Sequence, residues 1–351
     1  MPDGQPLIAQ FDTLLADLDG VVYVGPRAVP FAAEAIEECR RRFGVAVAFV
    51  TNNASRTPDS VASQLRDLGL SARPADVVTS AQAAASYLAR LLPAGSKVLV
   101  VGGDGLLVAL TECGLVPVSL VRENPVALVQ GFDPDVSWRM LAQAAGALHQ
   151  GVPWVASNLD LTLPTELGSA PGNGSLVATL TTATGRVPIS VGKPEAALIL
   201  EGVRRTGSNR PLVVGDRLDT DIAAAHAAES DSFLVLTGIS TPADLCVAPP
   251  NHRPTYVGAD LRDLLVVHPE VELTVHHDGR VESRCCDWLI AFDGDQLIVT
   301  GSGGDRLDGL RALARLCWSV NDSTGTNPSG VAQMCQQIWS NGERGVGASG
   351  V

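Results

Sequence analysis

The sequence predicts an α/β protein whose core is a doubly wound parallel sheet, and three observations indicate this fold class. Short apolar runs alternate with helical patterns from about residue 11 to 238, as expected for successive βαβ units. Several of these runs are apolar throughout, which is typical of strands that are buried on both faces. Apolar residues make up 46% of the 351 residues, enough for the cores of two or three domains.

The first elements alternate in this way. The runs TLLADL (13–18) and VAVAFV (45–50) predict strands, and the apolar residues of 30–43 between them recur at helical spacing. A second helix begins after Thr57, which suits the N-cap, with Pro58 at its first position and a glycine at its end. The chain therefore opens with a β-α-β-α order.

Two further series of alternating elements follow the first. Strands are predicted at 98–101, 126–130, 153–157, 211–216 and 232–238, and helices around 80–92, 105–113, 137–149, after Pro194 and at 219–228. Near residue 240 the composition changes to a segment rich in proline and polar residues, which indicates a linker or domain edge. Alternating β-like runs and one helical pattern, 307–320, come after it. The last 30 residues are rich in Gly, Ser and Asn, and partial disorder is expected there.

Composition excludes several classes of function. The net charge of −13 disfavours non-specific binding to nucleic acid, which needs clusters of Lys and Arg. No apolar run approaches the ~18 to 20 residues of a membrane helix, and the N-terminus lacks the features of a signal peptide. The seven scattered cysteines predict reduced thiols and a cytoplasmic protein.

The first chemical motif is Asp17-Leu-Asp19-Gly20 in LLADLDGVVY. Residues two apart at a strand end point the same way, so both carboxylates face one side. One can coordinate a cation and attack phosphorus while the other handles protons, which splits ester hydrolysis into two easier steps. Taken alone, the motif is equally compatible with a solvated turn.

The second and third motifs offer donors for a phosphate. Thr51, Asn52 and Asn53 follow a buried strand, where hydroxyl, amide and main-chain N–H groups can hold phosphate oxygens. Lys193 in VGKPE can neutralise a transferring phosphoryl group. Taken alone, the Thr-Asn-Asn motif is typical of an ordinary strand-to-loop turn. Taken alone, the lysine of VGKPE is typical of a solvated surface lysine.

The fourth motif, LVVGDRLDTDI, carries Asp216, Asp219 and Asp221 after a strand. Mg²⁺ takes one or two carboxylates plus waters and phosphate oxygens, so Asp216 is the second candidate ligand after Asp17. We assign Asp219 to the general preference of acidic residues for a helix N-terminus. Asp221 is expected to support the site from behind the ligands.

In this order and strand context, the four motifs resemble those of the haloacid dehalogenase (HAD) superfamily of phosphohydrolases. The resemblance implies that Asp17 is the nucleophile, which becomes an aspartyl-phosphate, and that Asp19 is the general acid/base. It also implies that Thr51 binds phosphate and Lys193 stabilises its charge. Asp17, Asp216 and the main-chain carbonyl of Asp19 would hold Mg²⁺.

Five segments of the sequence are similar to those of the NagD-like branch, which includes nitrophenyl-phosphate and phosphoglycolate phosphatases. These segments are DLDGVVYVG, TNN, PGNGSLVATL, VGKPE and GDRLDTDI. That branch inserts an α/β cap between the second and third motifs. The implied organisation is a HAD core at 8–80 and 186–258, a cap at 81–185, and a C-terminal accessory α+β domain at 259–351. The last domain resembles part of an acetyltransferase-type fold, but its Gly-rich segment GSGGDR (301–306) is more simply a turn.

The substrate is expected to be a small phosphate ester, because a cap of this size leaves no room for a macromolecule. Asn158 and Asp160 begin a polar loop suited to hydroxyls or a carboxylate. No Lys or Arg occurs between Arg139 and Arg186, so that stretch offers no cation for a charged leaving group. This favours glycerol 3-phosphate over 2-phosphoglycolate, with sugar phosphates and pyridoxal phosphate as further alternatives.

Other functions and sites fit the sequence less well or no better. A receiver-type signalling domain also phosphorylates an Asp, but at the end of a later strand, where this chain has Thr-Asn-Asn. Dehalogenases do not need the second Asp of the first motif. VVGGDGL (100–106) lacks a full dinucleotide-binding pattern and indicates a turn, and 276–278 (His-His-Asp) fits a hairpin turn as well as a metal site. Because the motifs lie before residue 259, a chain ending near 258 is expected to retain the catalytic residues and some phosphatase activity.

Overall fold

The computed structural model describes residues 4–165 and 168–341. Contacts divide the chain into two compact units: Met1–Ala46 with Arg210–Val351 form unit 1, and Val47–Asn209 form unit 2. The finer division into core, cap and accessory domain at 80, 185 and 258 stays a prediction.

The described strands and helices follow in chain order. The strands are β1 Thr13–Ala16, β2 Tyr23–Val24, β3 Arg27–Ala28, β4 Ala46–Thr51, β5 Val77–Thr79, β6 Lys97–Val101, β7 Val116–Val118, β8 Ala127–Gln130, β9 Trp154–Ala156, β10 Thr162–Thr165, β11 Gly168–Pro171, β12 Ile189–Ser190, β13 Pro211–Gly215, β14 Asp231–Val235, β15 Tyr256–Gly258, β16 Glu272–Val275, β17 Val281–Cys285, β18 Trp288–Phe292 and β19 Leu297–Gly301. The helices are α1 Ala32–Phe43, α2 Pro58–Asp67, α3 Ser80–Leu91, α4 Asp104–Glu112, α5 Trp138–His149, α6 Asn173–Thr184, α7 Ala196–Thr206, α8 Ala223–Ala227, α9 Pro242–Cys246, α10 Arg306–Thr324 and α11 Val331–Asn341.

Unit 1 contains parallel strands in the order β15, β14, β13, β1. Strands β1, β13 and β14 are almost entirely buried, which explains why their sequences read as unbroken apolar runs. The register pairs Ala16 with Val214, so β1 and β13 end at the same edge of the sheet. That edge is the one at which open parallel sheets bind their ligands.

Unit 2 contains a second parallel sheet in the order β12, β9, β8, β6, β7. Its core includes Leu99, Leu128, Leu148 and Trp154, which are all buried. The second helix begins as expected: Thr57 accepts a hydrogen bond from Ser60 N through its side chain, and a proline opens the helix. The two parallel sheets and the C-terminal antiparallel sheet confirm the predicted fold class.

The C-terminal segment shares a hydrophobic core with the parallel strands of unit 1. Strands β16, β17, β18 and β19 form an antiparallel sheet in that order. One buried cluster joins Leu234 and Leu245 of the parallel part with Trp288, Leu313 and Ile338 of the C-terminal part. The composition change near residue 240 therefore does not mark a break in the packing.

The segment predicted as a linker near residue 240 contains helix α9. Thr241 and Asp244 form a capping box: Asp244 Oδ2 accepts from Thr241 N at 2.9 Å, and Thr241 Oγ1 accepts from Asp244 N at 3.3 Å. A proline occupies the first turn, and Leu245 and Cys246 are buried. The local signal for this helix was present in the sequence, but the surrounding prolines obscured it.

Part of the last 30 residues, where partial disorder was expected, forms helix α11 at 331–341. Val331, Met334, Cys335 and Ile338 are buried and recur at helical spacing, so this helix has an apolar face to bury. The remainder of the tail, from 342, lies outside the described residues. Within the part of the chain that the structure describes, no helix is both long and apolar enough to cross a membrane.

Candidate active site

Two acidic side chains follow the neighbouring strands β1 and β13. Asp17 comes directly after β1, and its N–H donates to Val214 O at 2.8 Å. Asp216 comes directly after β13. Because parallel strands in register end together, these two carboxylates lie side by side at one edge of the sheet.

A third carboxylate joins them from the turn that follows β13. Residues Leu218–Ile222 form a π-helical turn, an element that is rare and frequent at functional sites. Asp221 lies on this turn, and one carboxylate oxygen from each of Asp17, Asp216 and Asp221 lies within 4.8 Å of the others. We call these three residues the acidic group.

Main-chain donors orient the acidic group. Asp216 and Asp221 are each only 2% exposed. Asp216 Oδ2 accepts from Ile239 N at 2.7 Å, and Asp221 Oδ2 accepts from Arg217 N at 3.1 Å. Three clustered carboxylates repel one another strongly in a buried setting, so a divalent cation with a preference for oxygen ligands fits this arrangement.

The turn after β1 brings the backbone close to the acidic group. Gly20 has φ +82°, and a Cβ on it would lie 2.4 Å from Asp216 Oδ2, so a side chain is excluded there. Thr237, which we did not single out in the sequence, donates from Oγ1 to Gly20 O at 2.6 Å. Asp19, which directly precedes Gly20, is exposed. The glycine therefore permits both the turn and the close packing of Asp216.

Asp219 takes no part in the acidic group. Its carboxylate accepts two hydrogen bonds from Arg217, at 3.0 and 2.8 Å, and its side chain is 60% exposed. The hydrogen bonds and charge of Arg217 lower the pKa of Asp219. This agrees with the structural role that the sequence indicated for it.

Unit 2 brings together a second set of predicted residues. Asn52 Oδ1 accepts from Lys193 N at 2.8 Å, and Asn52 Nδ2 donates to Lys193 O at 3.1 Å and to Asp160 Oδ2 at 3.0 Å. Asn158 Nδ2 donates to Asn52 O at 2.7 Å. We call Asn52, Asn158, Asp160 and Lys193 the amide group.

The other members of the second motif make local bonds. Thr51 is buried at the end of β4, and its Oγ1 accepts from Asn53 N at 3.1 Å. The side chain of Asn53 accepts from Ser55 N and Ser55 Oγ at 2.9 and 2.8 Å. These local bonds are of the kind that stabilise a tight turn just after the strand.

Two polar residues of unit 2 that the sequence did not single out belong to the same network. Ser80, at the start of α3, donates from Oγ to Asn52 O at 2.6 Å. Asn173, at the start of α6, donates from Nδ2 to Asn158 O at 2.7 Å. Asn173 lies within the quoted segment PGNGS, so a signal existed for it, whereas no local pattern marked Ser80.

The three segments that had been weighed as alternative sites form turns, a hairpin and a helix cap. The main chain at Gly105 donates to Ser55 O at 3.2 Å, so the glycines of 102–105 form a packed turn into α4. His276 N–H donates to Arg280 O at 2.8 Å, which closes the hairpin between β16 and β17. Asp305 caps α10 by accepting from Leu307 N at 2.9 Å, so a carboxylate occupies the end of the Gly-rich segment.

Family comparisons agree with the geometry. The family model for haloacid dehalogenase-like hydrolases matches residues 14–116, and a second HAD-hydrolase-like model matches residues 190–264. A model of the GCN5-related N-acetyltransferase-like domain matches residues 285–333, as the sequence resemblance indicated.

Similar proteins cover most of the chain. It is 44% identical over 321 residues to the D-glycerol 3-phosphate phosphatase of Mycobacterium tuberculosis (strain ATCC 25618 / H37Rv). The matched residues cover 89% of this chain and 87% of that protein. It is 36% identical to an acid sugar phosphatase of Staphylococcus aureus, over 73% of this chain and 97% of that protein.

Two solved structures are similar to this chain over different shares of its length. A glycerol phosphate phosphatase from Mycobacterium tuberculosis in complex with magnesium has a TM-score of 0.83 and 40% identity, covering 95% of this chain and 99% of that one. The p-nitrophenyl phosphatase from Archaeoglobus fulgidus has a TM-score of 0.67 and 30% identity, covering 73% and 98%. The chain therefore belongs to the haloacid dehalogenase-like hydrolases, in the p-nitrophenyl phosphatase branch that the sequence resembled, and it is a phosphatase.

Proposed function

We propose that this phosphatase hydrolyses glycerol 3-phosphate with Mg²⁺, through an aspartyl-phosphate on Asp17. The observation that carries the proposal is the acidic group, in which three carboxylates converge after two parallel strands. The likeness to a glycerol 3-phosphate phosphatase over 89% of the chain supports the same reaction.

In the first half of the reaction, a carboxylate oxygen of Asp17 attacks phosphorus and the bond from phosphorus to the ester oxygen breaks. Asp19 donates a proton to that oxygen, so the leaving group departs as a neutral alcohol. A positioned acid of this kind accelerates a reaction by roughly 10²–10⁴. The exposure of Asp19 is compatible with a group that meets substrate and solvent in turn.

In the second half, the oxygen of a water molecule attacks the phosphorus of the aspartyl-phosphate, and Asp19 takes a proton from that water. The bond to Asp17 breaks, which releases inorganic phosphate and restores both carboxylates to their starting states. Asp17 thus acts as a covalent nucleophile that divides one difficult hydrolysis into two steps.

Asp17 and Asp216, with the main-chain carbonyl of Asp19, would hold Mg²⁺, and Asp221 would orient them. When bound, Mg²⁺ supplies positive charge that favours attack on an anionic phosphate. The hard oxygen donors of the acidic group suit this ion better than zinc. A related glycerol phosphate phosphatase has been crystallised with magnesium, which supports the same ion here.

The phosphoryl group would be held by Thr51 and by donors of the following Asn52-Asn53 segment, with Lys193 neutralising its charge. Lys193 is only 4% exposed, and its Nζ donates to Val50 O at 3.3 Å. A desolvated ammonium acts on nearby charge more strongly than one in water, because the effective dielectric constant is lower.

Charge in the cap segment favours a neutral leaving group. No Lys or Arg lies between Arg139 and Arg186, so this stretch offers no cation for a charged leaving group. A glycerol leaving group has only hydroxyls, whereas glycolate carries a carboxylate that lacks such a partner there. Sugar phosphates are the second candidate, because an acid sugar phosphatase is 36% identical to this chain.

The test is a comparison of kcat/KM for glycerol 3-phosphate, 2-phosphoglycolate, a hexose phosphate and pyridoxal phosphate, with purified protein and Mg²⁺. Glycerol 3-phosphate should have the highest value. A clear preference for 2-phosphoglycolate would contradict the charge argument, and efficient action on phosphoproteins would contradict the argument from the cap.

The domain boundaries predicted above and a location in the reducing cytoplasm belong to the same proposal. The location is supported by the seven cysteines, which carry no disulfide among the described residues.

A further inference from the structure

Asn52 pairs with Lys193 through both of its amide atoms. Its Oδ1 accepts from Lys193 N at 2.8 Å, and its Nδ2 donates to Lys193 O at 3.1 Å. A side-chain amide can bind a main-chain residue in this two-point manner only in one orientation, because its two ends differ in polarity. The arrangement imitates the pairing of two strands and fixes the backbone of Lys193.

Asp160 determines which way the Asn52 amide faces. Its Oδ2 accepts a second bond from Asn52 Nδ2, at 3.0 Å. An ionised carboxylate only accepts, so a flipped amide would set Asn52 Oδ1 against both Asp160 and the carbonyl of Lys193. Asp160 therefore stabilises the one orientation in which Asn52 can hold Lys193.

The backbone of Asn52 is itself held from two other elements. Its main-chain oxygen accepts from Asn158 Nδ2 at 2.7 Å and from Ser80 Oγ at 2.6 Å. Gly192 permits the close approach, since a Cβ there would lie 2.8 Å from Asn52 Oδ1 and 2.3 Å from Ser157 O. The whole amide group is thus a connected network with Asn52 at its centre.

We propose that Asn52 is a positioning residue that fixes Lys193 for the reaction, and that Asp160 fixes the orientation of Asn52. This inference rests on the proposed function, in which Lys193 neutralises the transferring phosphoryl group. It assigns the Asn52 side chain to Lys193 and not to phosphate, and it gives Asp160 a role through Asn52 in place of direct contact with the substrate.

The first experiment compares Asn52→Ala with Gln143→Ala in kcat and KM. Gln143 is a matched control in the same unit, since its amide also accepts a main-chain hydrogen bond, from Val121 N at 2.8 Å. A misplaced catalytic group costs about 10²-fold, so Asn52→Ala should lower kcat by that order with a small change in KM. Gln143→Ala should retain the wild-type kcat.

A double-mutant cycle with Lys193→Ala tests whether Asn52 acts through the lysine. In the Lys193→Ala background, Asn52→Ala should cause little further loss, because residues that act as one unit are not additive. If the two losses multiply, the Asn52 side chain acts on the substrate by itself and the inference is overturned.

A reciprocal exchange tests the role of Asp160. Asn52→Asp places a carboxylate beside that of Asp160 and should lower kcat at least as much as Asn52→Ala. Combining it with Asp160→Asn restores a donor between the two side chains, so the double variant should regain part of kcat. A double variant no more active than Asn52→Asp would contradict the orienting role of Asp160.

Failure of the proposed function would look different. A wild-type protein with no turnover of any phosphate ester contradicts the function, whereas the amide network can still be measured by hydrogen exchange. The Lys193 amide should exchange faster in Asn52→Ala, or in Asp160→Ala if the first variant does not fold. An unchanged exchange rate in a folded variant would refute the inference without reference to activity.

Discussion

Arg311 donates from Nε and Nη2 to the main-chain oxygen of Val257, at 3.1 and 2.7 Å. Its Nη1 forms an ion pair with Asp308 at 2.7 Å, and the arginine is only 7% exposed. A helix of the C-terminal segment is therefore bonded to β15, the edge strand of the parallel sheet in unit 1. Burial of these charges is tolerated because each is paired or hydrogen-bonded.

A chain ending near residue 258 should be much less stable than the full protein, although it keeps every predicted catalytic residue. Truncation would expose apolar side chains of the shared cluster, including Leu218, Leu234 and Leu245. We expect a lower melting temperature and a smaller soluble fraction, measured by thermal unfolding and sedimentation. A truncated protein as stable as the full chain would show that the shared cluster contributes little.

Trp318 should stabilise the same contact through its indole N–H, which donates to Leu245 O at 2.9 Å. Trp318→Phe removes this donor, while the longer bond from Ala248 N at 3.3 Å remains, so the free energy of unfolding should fall by about 0.5–1.5 kcal/mol. The control is Trp138→Phe, because Trp138 is 80% exposed and should change stability little. Urea unfolding of both variants measures the difference, and equal effects would contradict the prediction.

His268 should make the protein less stable in acid. Burial, and then the positive charge of Arg311, lower its pKa to about 3. Its Nε2 accepts from Val257 N at 3.3 Å, which requires the neutral ring. Between about pH 6.5 and 3 the unfolded chain binds a proton that the folded chain does not, so this contribution is present above 6.5 and lost as the pH falls.

His268→Gln should remove this pH dependence. The slope of the unfolding free energy against pH, between pH 4 and 6.5, should decrease by up to the amount that about one bound proton contributes. Asp263, whose pKa is raised by burial, contributes the opposite sign, but it is present in both proteins and cancels in the comparison. His226→Gln, at an exposed position, serves as the control and should leave the slope unchanged.

The nucleophile can be tested with three isosteric substitutions. Asp17→Asn should abolish turnover, because an amide neither attacks phosphorus nor binds Mg²⁺ well. Asp19→Asn should lower kcat by roughly 10²–10⁴, the usual worth of general acid/base catalysis. Asp219→Asn should have a small effect, since Asp219 pairs with Arg217 at the surface. Near-native rates in Asp17→Asn would exclude the aspartyl-phosphate mechanism.

Activity should depend on a hard divalent cation. Excess chelator should stop turnover and Mg²⁺ should restore it, while Ca²⁺ should bind but support turnover poorly because its shell is larger and looser. Asp216→Asn should raise the Mg²⁺ concentration needed for half-maximal activity, as measured by titration. Full activity in chelator would contradict the metal assignment.

Sequence reasoning predicted the elements that have strong local signals. The buried strands of the parallel sheets read as apolar runs, and the cap at Thr57 marked the start of α2. Helix α9 was not predicted, because its capping box lies among prolines. Helix α11 was not predicted, because its four buried apolar positions lie in a segment that is mostly polar. In both segments, residues that favour a helix stand among residues that disfavour one, and burial of an apolar face stabilises the helix.

By itself, the sequence determined the chemistry on offer. Asp17, Asp19, Lys193 and Asp216 stand in motif order, with apolar strands before Asp17 and Asp216, and this order is typical of phosphatases of the HAD family. Such information is local, because strand ends and turn residues are encoded by a few neighbouring side chains.

Only the tertiary structure decided which distant residues work together. Asn52 and Lys193 are far apart in the chain, and their two-point pairing depends on where separate strands end. Asp221 was expected behind the ligands, and the structure decided that its carboxylate lies within 4.8 Å of those of Asp17 and Asp216. The bond from Arg311 to Val257 O likewise had no signal in the sequence. Hydrogen bonds of this kind are directional and join separate elements, so the periodicity of the sequence within one element does not predict them.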